Sequence, residues 1–431
     1  MRKFIWFVVT FFLSVGLYAQ QVVLKTELEK LPGVVSVQSF EGHTFFENNY
    51  EVMIEQYLDH RDPSAGKFQQ RVFVSEYNKY SPVVFVTEGY VADYASRESY
   101  INELSNIVHA NQVVVEHRYF GKSIPEDAGW EYLTIENATA DLHRIYTMLK
   151  KIFSYNNKWI ATGISKGGQN TIAYKAFYPN DMDIWVSYVG PVNFAVEDKR
   201  MSDFLENVGS KSCRKKIEDF QLAVLKKRDS IEVWIDSLST ANKYTYAIPV
   251  SEVLDFCVLE YSFAFWQWGR DCATIPSDTL PARELFTHLI EVSSPDYFSN
   301  EGTEPIKAFF VQAVKEFGYY GYDTRPFSDY LKIETAKNYI PRVFIPDVES
   351  MKFSKKTSKF INKTIKKDGE NLILIYGEYD PWTGGALEES SRSKARWFVK
   401  PKGSHRTRID NMSYAQQAKI YILLETLLEE E

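Results

Sequence analysis

From Pro82 onward the chain alternates short, largely apolar runs with amphipathic stretches, and that alternation admits few folds. The apolar runs are Val83–Val86, Val113–Val115, Lys158–Thr162 and Ile184–Val189. Between them lie helical stretches at Ser96–Ala110, Glu136–Ser154 and Gly167–Tyr178, the second with Ala138, Leu142, Ile145, Leu149 and Ile152 at helical spacing. Strand–helix–strand repeats of this kind build a parallel sheet. Helices cover both of its faces, so its strands read as continuous Val and Ile runs rather than alternating ones. The rhythm breaks near Phe194. From there to Ile345 the chain is helical, charged and aromatic, as in Arg214–Arg228 and Pro305–Phe317. Sheet-like runs return at Asn371–Tyr376 and Ala395–Val399, and an amphipathic helix at Ser413–Leu428 closes the chain. This predicts an α/β domain in two parts, residues 20–193 and 346–431, around an inserted helical segment at 194–345. The first part opens with short β-like runs such as Arg71–Val74 and a turn-rich stretch at Asp59–Gly66, and the basic run Lys355–Lys367 reads as a solvated helix face or linker.

The first 19 residues read as a secretory signal peptide: Arg2 and Lys3, then the apolar Phe4–Tyr18, then a small residue, Ala19. The alternative is a membrane anchor, but the apolar run falls short of the roughly 20 residues a span requires. No later run is long enough, so an exported protein with no membrane span after cleavage is expected, in the periplasm or outside the cell. The chain carries 50 Lys plus Arg against 57 Asp plus Glu, a net charge of −7, which disfavours a nucleic-acid partner. Export permits disulfides. The cysteines are Cys213, Cys257 and Cys272, so at most one internal pair forms, and Cys257–Cys272 is the pair nearest in sequence. No Cys-x-x-Cys or His-x-x-x-His spacing exists, so no metal site is expected.

The chemistry concentrates at Thr162-Gly163-Ile164-Ser165-Lys166-Gly167-Gly168, which follows a predicted strand and opens a predicted helix. Gly-x-Ser-x-Gly in that setting is a nucleophile elbow. The serine sits in a strained turn with its hydroxyl exposed, and only small residues two before and two after it let strand and helix approach. The Lys166 amide then lies at the helix N-terminus, where negative charge develops in the reaction. The plain alternative is a glycine-rich turn with Ser165 as a helix N-cap. A nucleophilic serine needs a base and an acid that orients it, in the order Ser, acid, His. Asp380 ends the apolar run Ile373–Tyr376 by way of Gly377-Glu378-Tyr379, with Glu378 as its competitor for the acid. His405 is the last histidine and follows the final strand. The loop Thr87-Glu88-Gly89-Tyr90 is placed to give a second oxyanion donor, the Tyr90 amide. Glu88 beside it would oppose negative charge in an ordinary esterase, but in an exopeptidase it can hold a free α-ammonium; the plain alternative pairs it with Arg118. Trp382, next to Asp380, is a candidate wall for an apolar substrate pocket, or simple packing.

These residues carry a resemblance. The Glu88-Gly89-Tyr90 loop, the stretch Glu116-His117-Arg118-Tyr119-Phe120-Gly121-Lys122-Ser123, Tyr132-Leu133-Thr134 with Ala140-Asp141-Leu142, the elbow and Tyr376-Gly377-Glu378-Tyr379-Asp380-Pro381-Trp382 together resemble secreted tripeptidyl aminopeptidases, serine peptidase family thirty-seven. More distantly they are similar to prolyl carboxypeptidases and dipeptidyl peptidases, which usually have Tyr where Lys166 stands. The resemblance implies an α/β-hydrolase fold with a helical cap, Ser165 as nucleophile, Asp380 as orienting acid and His405 as base, with peptide substrates and no cofactor. It does not reach into the cap. The expected function is removal of short peptides, tripeptides above all, from a substrate's amino terminus. A prolyl-specific carboxypeptidase or dipeptidyl peptidase, an esterase or lipase, and a silent binding protein on the same shell are the competing expectations.

Overall fold

The computed structural model describes residues 23–153 and 157–430; the expected signal peptide lies outside them. The chain divides into two compact units, one running to Val186 and rejoined by Lys419 onward, the other spanning Ser187–Ala418.

In the first unit the strands are ordered β1-β2-β3-β5-β4-β6. These are β1 (Val34–Ser39), β2 (Asn48–Tyr57), β3 (Lys67–Glu76), β4 (Val83–Thr87), β5 (Asn111–Val115) and β6 (Trp159–Ile164). The first three form an antiparallel ladder that joins β5 through β3, and β4 runs parallel to both β5 and β6. Every residue of β4 and β5 is buried, as the apolar runs Val83–Val86 and Val113–Val115 within them foretell. β-branched side chains suit that pleated, doubly covered surface. The helices Ile135–Leu149 and Lys166–Phe177 pack together, and Trp159, Phe85, Tyr146 and Tyr174 meet edge-on or tilted beneath them. The Ser96–Ala110 stretch is helical only at Glu103–Ile107, where the Asn102 side chain caps the Leu104 amide. A 3-10 turn at Asp93–Ser96 ends where the stretch begins.

The second unit contains β8 (Leu372–Gly377) and β9 (Arg396–Lys400), parallel to each other, and the last residues of β7 (Ile184–Tyr188). No strand occurs between Tyr188 and Leu372 among the described residues. The centre of this helical stretch is Val250–Gln267, buried on nearly every side from Val253 to Trp266. A helix apolar all round belongs inside a protein, and Lys211–Lys226, Arg228–Asn242 and Ala282–Val292 pack around it. Two of its three acids are buried. Asp255 binds Arg228 and accepts from the amides of Lys332 and Ile333, at 2.5 and 2.9 Å; the other is Glu260. The Pro305–Phe317 stretch is a 3-10 turn, a short α-helix and a π-helical segment rather than one helix.

The cysteine pairing differs from the sequence expectation: Cys213 is bonded to Cys272, their Cα atoms 5.6 Å apart, and Cys257 is free. Cys257 sits wholly inside the central helix, where burial pushes its thiol pKa well up. Cys272 lies in the 3-10 turn beyond that helix, within reach of the first turn of Lys211–Lys226. Nearness in sequence was outweighed by the direction in which a buried helix points its side chains.

Candidate active site

Ser165 joins β6 to the Lys166–Phe177 helix with φ 57° and ψ −120°, a conformation that strains a residue with a Cβ. Its carbonyl accepts the Gln169 amide at 2.8 Å, starting the helix, while its side chain makes no capping hydrogen bond. The N-cap alternative therefore fails on the side chain. The glycines are sterically required. A Cβ on Gly163 would lie 2.3 Å from the Gly167 carbonyl carbon and oxygen, and one on Gly167 would lie 2.8 Å from the Thr87 carbonyl oxygen. Thr87 tightens the junction, its hydroxyl reaching Gly167 O at 2.9 Å and Thr171 Oγ1 at 2.7 Å. The Glu88–Tyr90 loop presses so closely on the elbow that a Cβ on Gly89 would lie 2.7 Å from that of Lys166.

The Lys166 side chain is buried. Its Nζ donates to Gly89 O at 2.5 Å and lies over the rings of Phe120 and Tyr90, 4.6 and 5.3 Å from their centroids. Burial lowers its pKa well below the usual lysine value, and the Glu88 charge opposes that. By fixing the Gly89 carbonyl, Lys166 fixes the plane of the Gly89–Tyr90 peptide, and with it the direction of the Tyr90 N–H. Glu88 Oε1 accepts the Gly89 amide at 2.9 Å and Oε2 accepts the Tyr94 hydroxyl. Burial raises the Glu88 pKa; the Tyr94 hydroxyl, the Gly89 amide, the Lys166 charge and the Tyr90 amide pull it back. Arg118 is not its partner. That guanidinium is fully buried and binds Asp141 through two 2.7 Å bonds, and it also donates to the carbonyls of Tyr57, Leu58 and Tyr132. Glu116 accepts from Arg71, Ser123 Oγ and the amides of Ala92 and Lys122. This stretch thus braces the loops of the first unit.

In the second unit Asp380 follows β8 and caps the turn Pro381–Gly385, its Oδ1 accepting the Trp382 amide at 3.2 Å. Its Oδ2 lies 2.7 Å from His405 Nδ1, with both side chains buried. An aspartate on Nδ1 places the proton there and leaves Nε2 as the basic nitrogen. His405 is held from behind, its amide donating to Gln267 O at 2.9 Å, with Trp268 and Trp382 beside its ring. Glu378, the competing acid, is exposed and accepts the Lys402 amide at 2.6 Å. Sequence reasoning missed Gly377, where a Cβ would lie 2.5 Å from the carbonyl oxygens of Gly403 and Ser404. Glycine here lets the His405 loop lie against the end of β8, and a glycine directly ahead of the Glu378–Asp380 turn was the available signal. Trp382 is packed against Phe263, Tyr319 and Tyr320, with ring centroids 5.2 to 5.4 Å away. Among the described residues no group of His, Cys, Asp and Glu could hold a metal ion.

A profile of the family described as PS-10 peptidase S37 matches residues 18–421. The chain belongs to this family. It is a serine peptidase, and its chain is an α/β protein with a mostly parallel sheet. The prolyl tri/tetrapeptidyl aminopeptidase of Streptomyces mobaraensis is 31% identical over 418 residues, covering 94% of this chain and 85% of that protein. The human lysosomal Pro-X carboxypeptidase is 29% identical over 150 residues, covering 31% of this chain and 30% of its own. Among solved structures, the proline iminopeptidase of Mycobacterium smegmatis covers 87% of this chain and 99% of its own, at 12% identity and a TM-score of 0.40.

Proposed function

We propose that this family member is an exported exopeptidase that releases tripeptides from the free amino terminus of peptides, with proline favoured ahead of the cut. The reading rests chiefly on one observation, the buried Asp380–His405 pair bonded through Nδ1 in a chain whose family is that of a serine peptidase. In this mechanism His405 Nε2 takes the proton of the Ser165 hydroxyl as Oγ bonds to the scissile carbonyl carbon. The oxyanion of the tetrahedral intermediate accepts hydrogen bonds from the amide of Lys166 and from that of Tyr90, which it takes over from the Glu88 carboxylate. Collapse breaks the C–N bond and His405 returns its proton to the leaving amine. Water, deprotonated by His405, then hydrolyses the acyl-enzyme. Asp380 holds the imidazole in the required tautomer and supports its charge. Glu88 steadies the loop that carries the Tyr90 amide. Trp382 forms an apolar wall suited to a proline ring, in keeping with the prolyl tri/tetrapeptidyl aminopeptidase of Streptomyces mobaraensis.

A fluorophosphonate should label the wild type and leave Ser165→Ala unlabelled; labelling of both, or of neither, rejects the mechanism. Peptides with free and N-acetylated termini test the direction. Equal turnover rejects the amino-terminal reading, and release of single residues from the carboxyl end supports the carboxypeptidase alternative. Export is supported by the Arg2-Lys3 and Phe4–Tyr18 pattern and by a disulfide, which persists in oxidising compartments. Amino-terminal sequencing should find a mature chain beginning at Gln20; an intact Met1 in the exported fraction rejects cleavage.

A further inference from the structure

The second unit carries a buried carboxylate that the mechanism above does not use. Glu260 lies on the central helix, 6% exposed, and its Oε2 accepts the hydroxyls of both Tyr320 and Tyr322 at 2.8 Å. Its Oε1 takes no hydrogen bond from the described residues. A buried carboxylate without a cation is costly, yet no Lys, Arg or His side chain among the described residues pairs with it. Two phenols fix the carboxylate's direction and supply no positive charge. The surroundings are aromatic: Tyr320 is stacked on Phe263 with centroids 3.6 Å apart, and Tyr319 leads from Tyr297 to Tyr320 by hydroxyl contacts of 2.6 and 3.3 Å. Leu259, Phe263, Tyr320 and Tyr322, the residues around Glu260, also line a cavity of about 290 Å³.

The position of Glu260 along the helix is informative. Phe263, one turn on, packs edge-on against Trp382. Gln267, two turns on, receives the His405 amide on its carbonyl. Residues three and seven apart share one helix face, so the same face that holds the base loop carries Glu260. Seven residues of α-helix rise about 10 Å. An extended peptide advances about 3.3–3.6 Å per residue. Three residues therefore cover the distance from the base end of the helix to Glu260, whereas two fall roughly 3 Å short and four overshoot by as much.

We propose that Glu260 is the specificity-determining residue that binds the substrate's α-ammonium, and that the helix between Glu260 and Gln267 sets the length of the released peptide at three residues. The assignment rests on the amino-terminal exopeptidase reading and names its anchor. The cation supplies the charge the site lacks, and aromatic faces beside it suit an ammonium group. The cavity beside Tyr320 and Tyr322 gives room for the first side chain.

The test uses wild type and Glu260→Gln with the p-nitroanilides of Ala-Pro, Ala-Ala-Pro and Ala-Ala-Ala-Pro, and with N-acetyl-Ala-Ala-Pro-p-nitroanilide. Wild-type kcat/KM should peak at the tripeptide. Glu260→Gln should lose at least tenfold in kcat/KM on free Ala-Ala-Pro, mostly through KM. It should turn over the acetylated substrate within twofold of wild type, and Ser165 should be labelled by fluorophosphonate at the wild-type rate. If the variant keeps the wild-type ratio of free to acetylated turnover, the assignment is overturned. A wild-type peak at two or four residues overturns the length rule without needing the variant to fold. No discrimination by the wild type between free and acetylated substrates rejects the amino-terminal reading itself, and this assignment falls with it.

Discussion

Replacing Glu260 by Gln should stabilise the protein while it weakens substrate capture. Burial pushes the Glu260 carboxyl from its ordinary 4.5 up to about 7, against the opposing pull of the Tyr320 and Tyr322 hydroxyls. The folded protein then binds this proton more tightly than the unfolded chain does. Its contribution to stability is complete below pH 4.5 and is lost as the pH rises through 7. At about 1.4 kcal/mol per pKa unit, the ionised carboxylate costs the substrate-free fold roughly 3 kcal/mol at alkaline pH. Gln keeps an acceptor for the two phenols and has no charge to desolvate. Its amide hydrogens need partners, which takes back about 1 kcal/mol. The variant should therefore be more stable than wild type by about 2 kcal/mol at pH 8, with the advantage gone near pH 5. For a chain of this size that is a rise in melting temperature of a few degrees. Thermal melts of both proteins from pH 5 to 8, without substrate, measure it. A difference that does not grow with pH, or a variant less stable throughout, would refute the view of Glu260 as a desolvated carboxylate awaiting a cation.

Three further outcomes follow from the site and its scaffold. Asp380→Asn should lower kcat by about 10³–10⁴ with little change in KM, because the wrong imidazole tautomer is presented to the hydroxyl; retention of a tenth of wild-type kcat would exclude Asp380 as the orienting acid. Gly163→Ala places a methyl 2.3 Å from backbone atoms of Gly167 that no rotamer change can move, so a loss of about 3 kcal/mol or failure to accumulate as folded protein is expected; a wild-type melting temperature would contradict the packing of the elbow. Opening the Cys213–Cys272 bridge, 59 residues apart, should cost about 4 kcal/mol by the chain-entropy estimate, and melts with and without dithiothreitol, with Cys257→Ser as the control for the free thiol, measure that loss; no change on reduction would refute it.

How much of this was legible depended on whether the constraint lay within a few residues. Val83–Val86 and Val113–Val115 could be read as sheet because burial on both faces writes itself as an unbroken apolar run, and the strands extend beyond these runs only to Thr87 and back to Asn111. The elbow could be read because Gly163 and Gly167 answer to each other across four residues. Asp380 and His405 were found from chain order and from their places after strands, and the 2.7 Å bond between them is a contact no local pattern encodes. The bridge was misjudged because its partners lie 59 residues apart, and only the burial of Cys257 removes it from the choice. In Ser96–Ala110 helical composition met the Asn102 cap, which starts the helix late. The Gly89 amide and the Tyr94 hydroxyl on the Glu88 oxygens are contacts that its place in the sequence does not reveal.

Glu260 shows what such a reading lacks and how it can be repaired. Within Val258-Leu259-Glu260-Tyr261-Ser262-Phe263-Ala264-Phe265-Trp266 it is the single charge in an apolar run, a conflict between residue and surroundings visible without coordinates. Asp255, on the same helix, presents the same conflict, but Arg228 and two backbone amides resolve it inside the protein. Glu260 has only neutral phenols. Two acids on one buried helix thus separate by whether the fold supplies their counter-charge. An acid that the fold answers serves stability. One left for an outside cation detracts from stability until that cation arrives, and sequences keep such violations of local rules mainly where function requires them. Since Glu260 shares a helix face with the residue that holds His405, a peptide that neutralises Glu260 has its amino end fixed at a set distance from the base, so capture and register become one event.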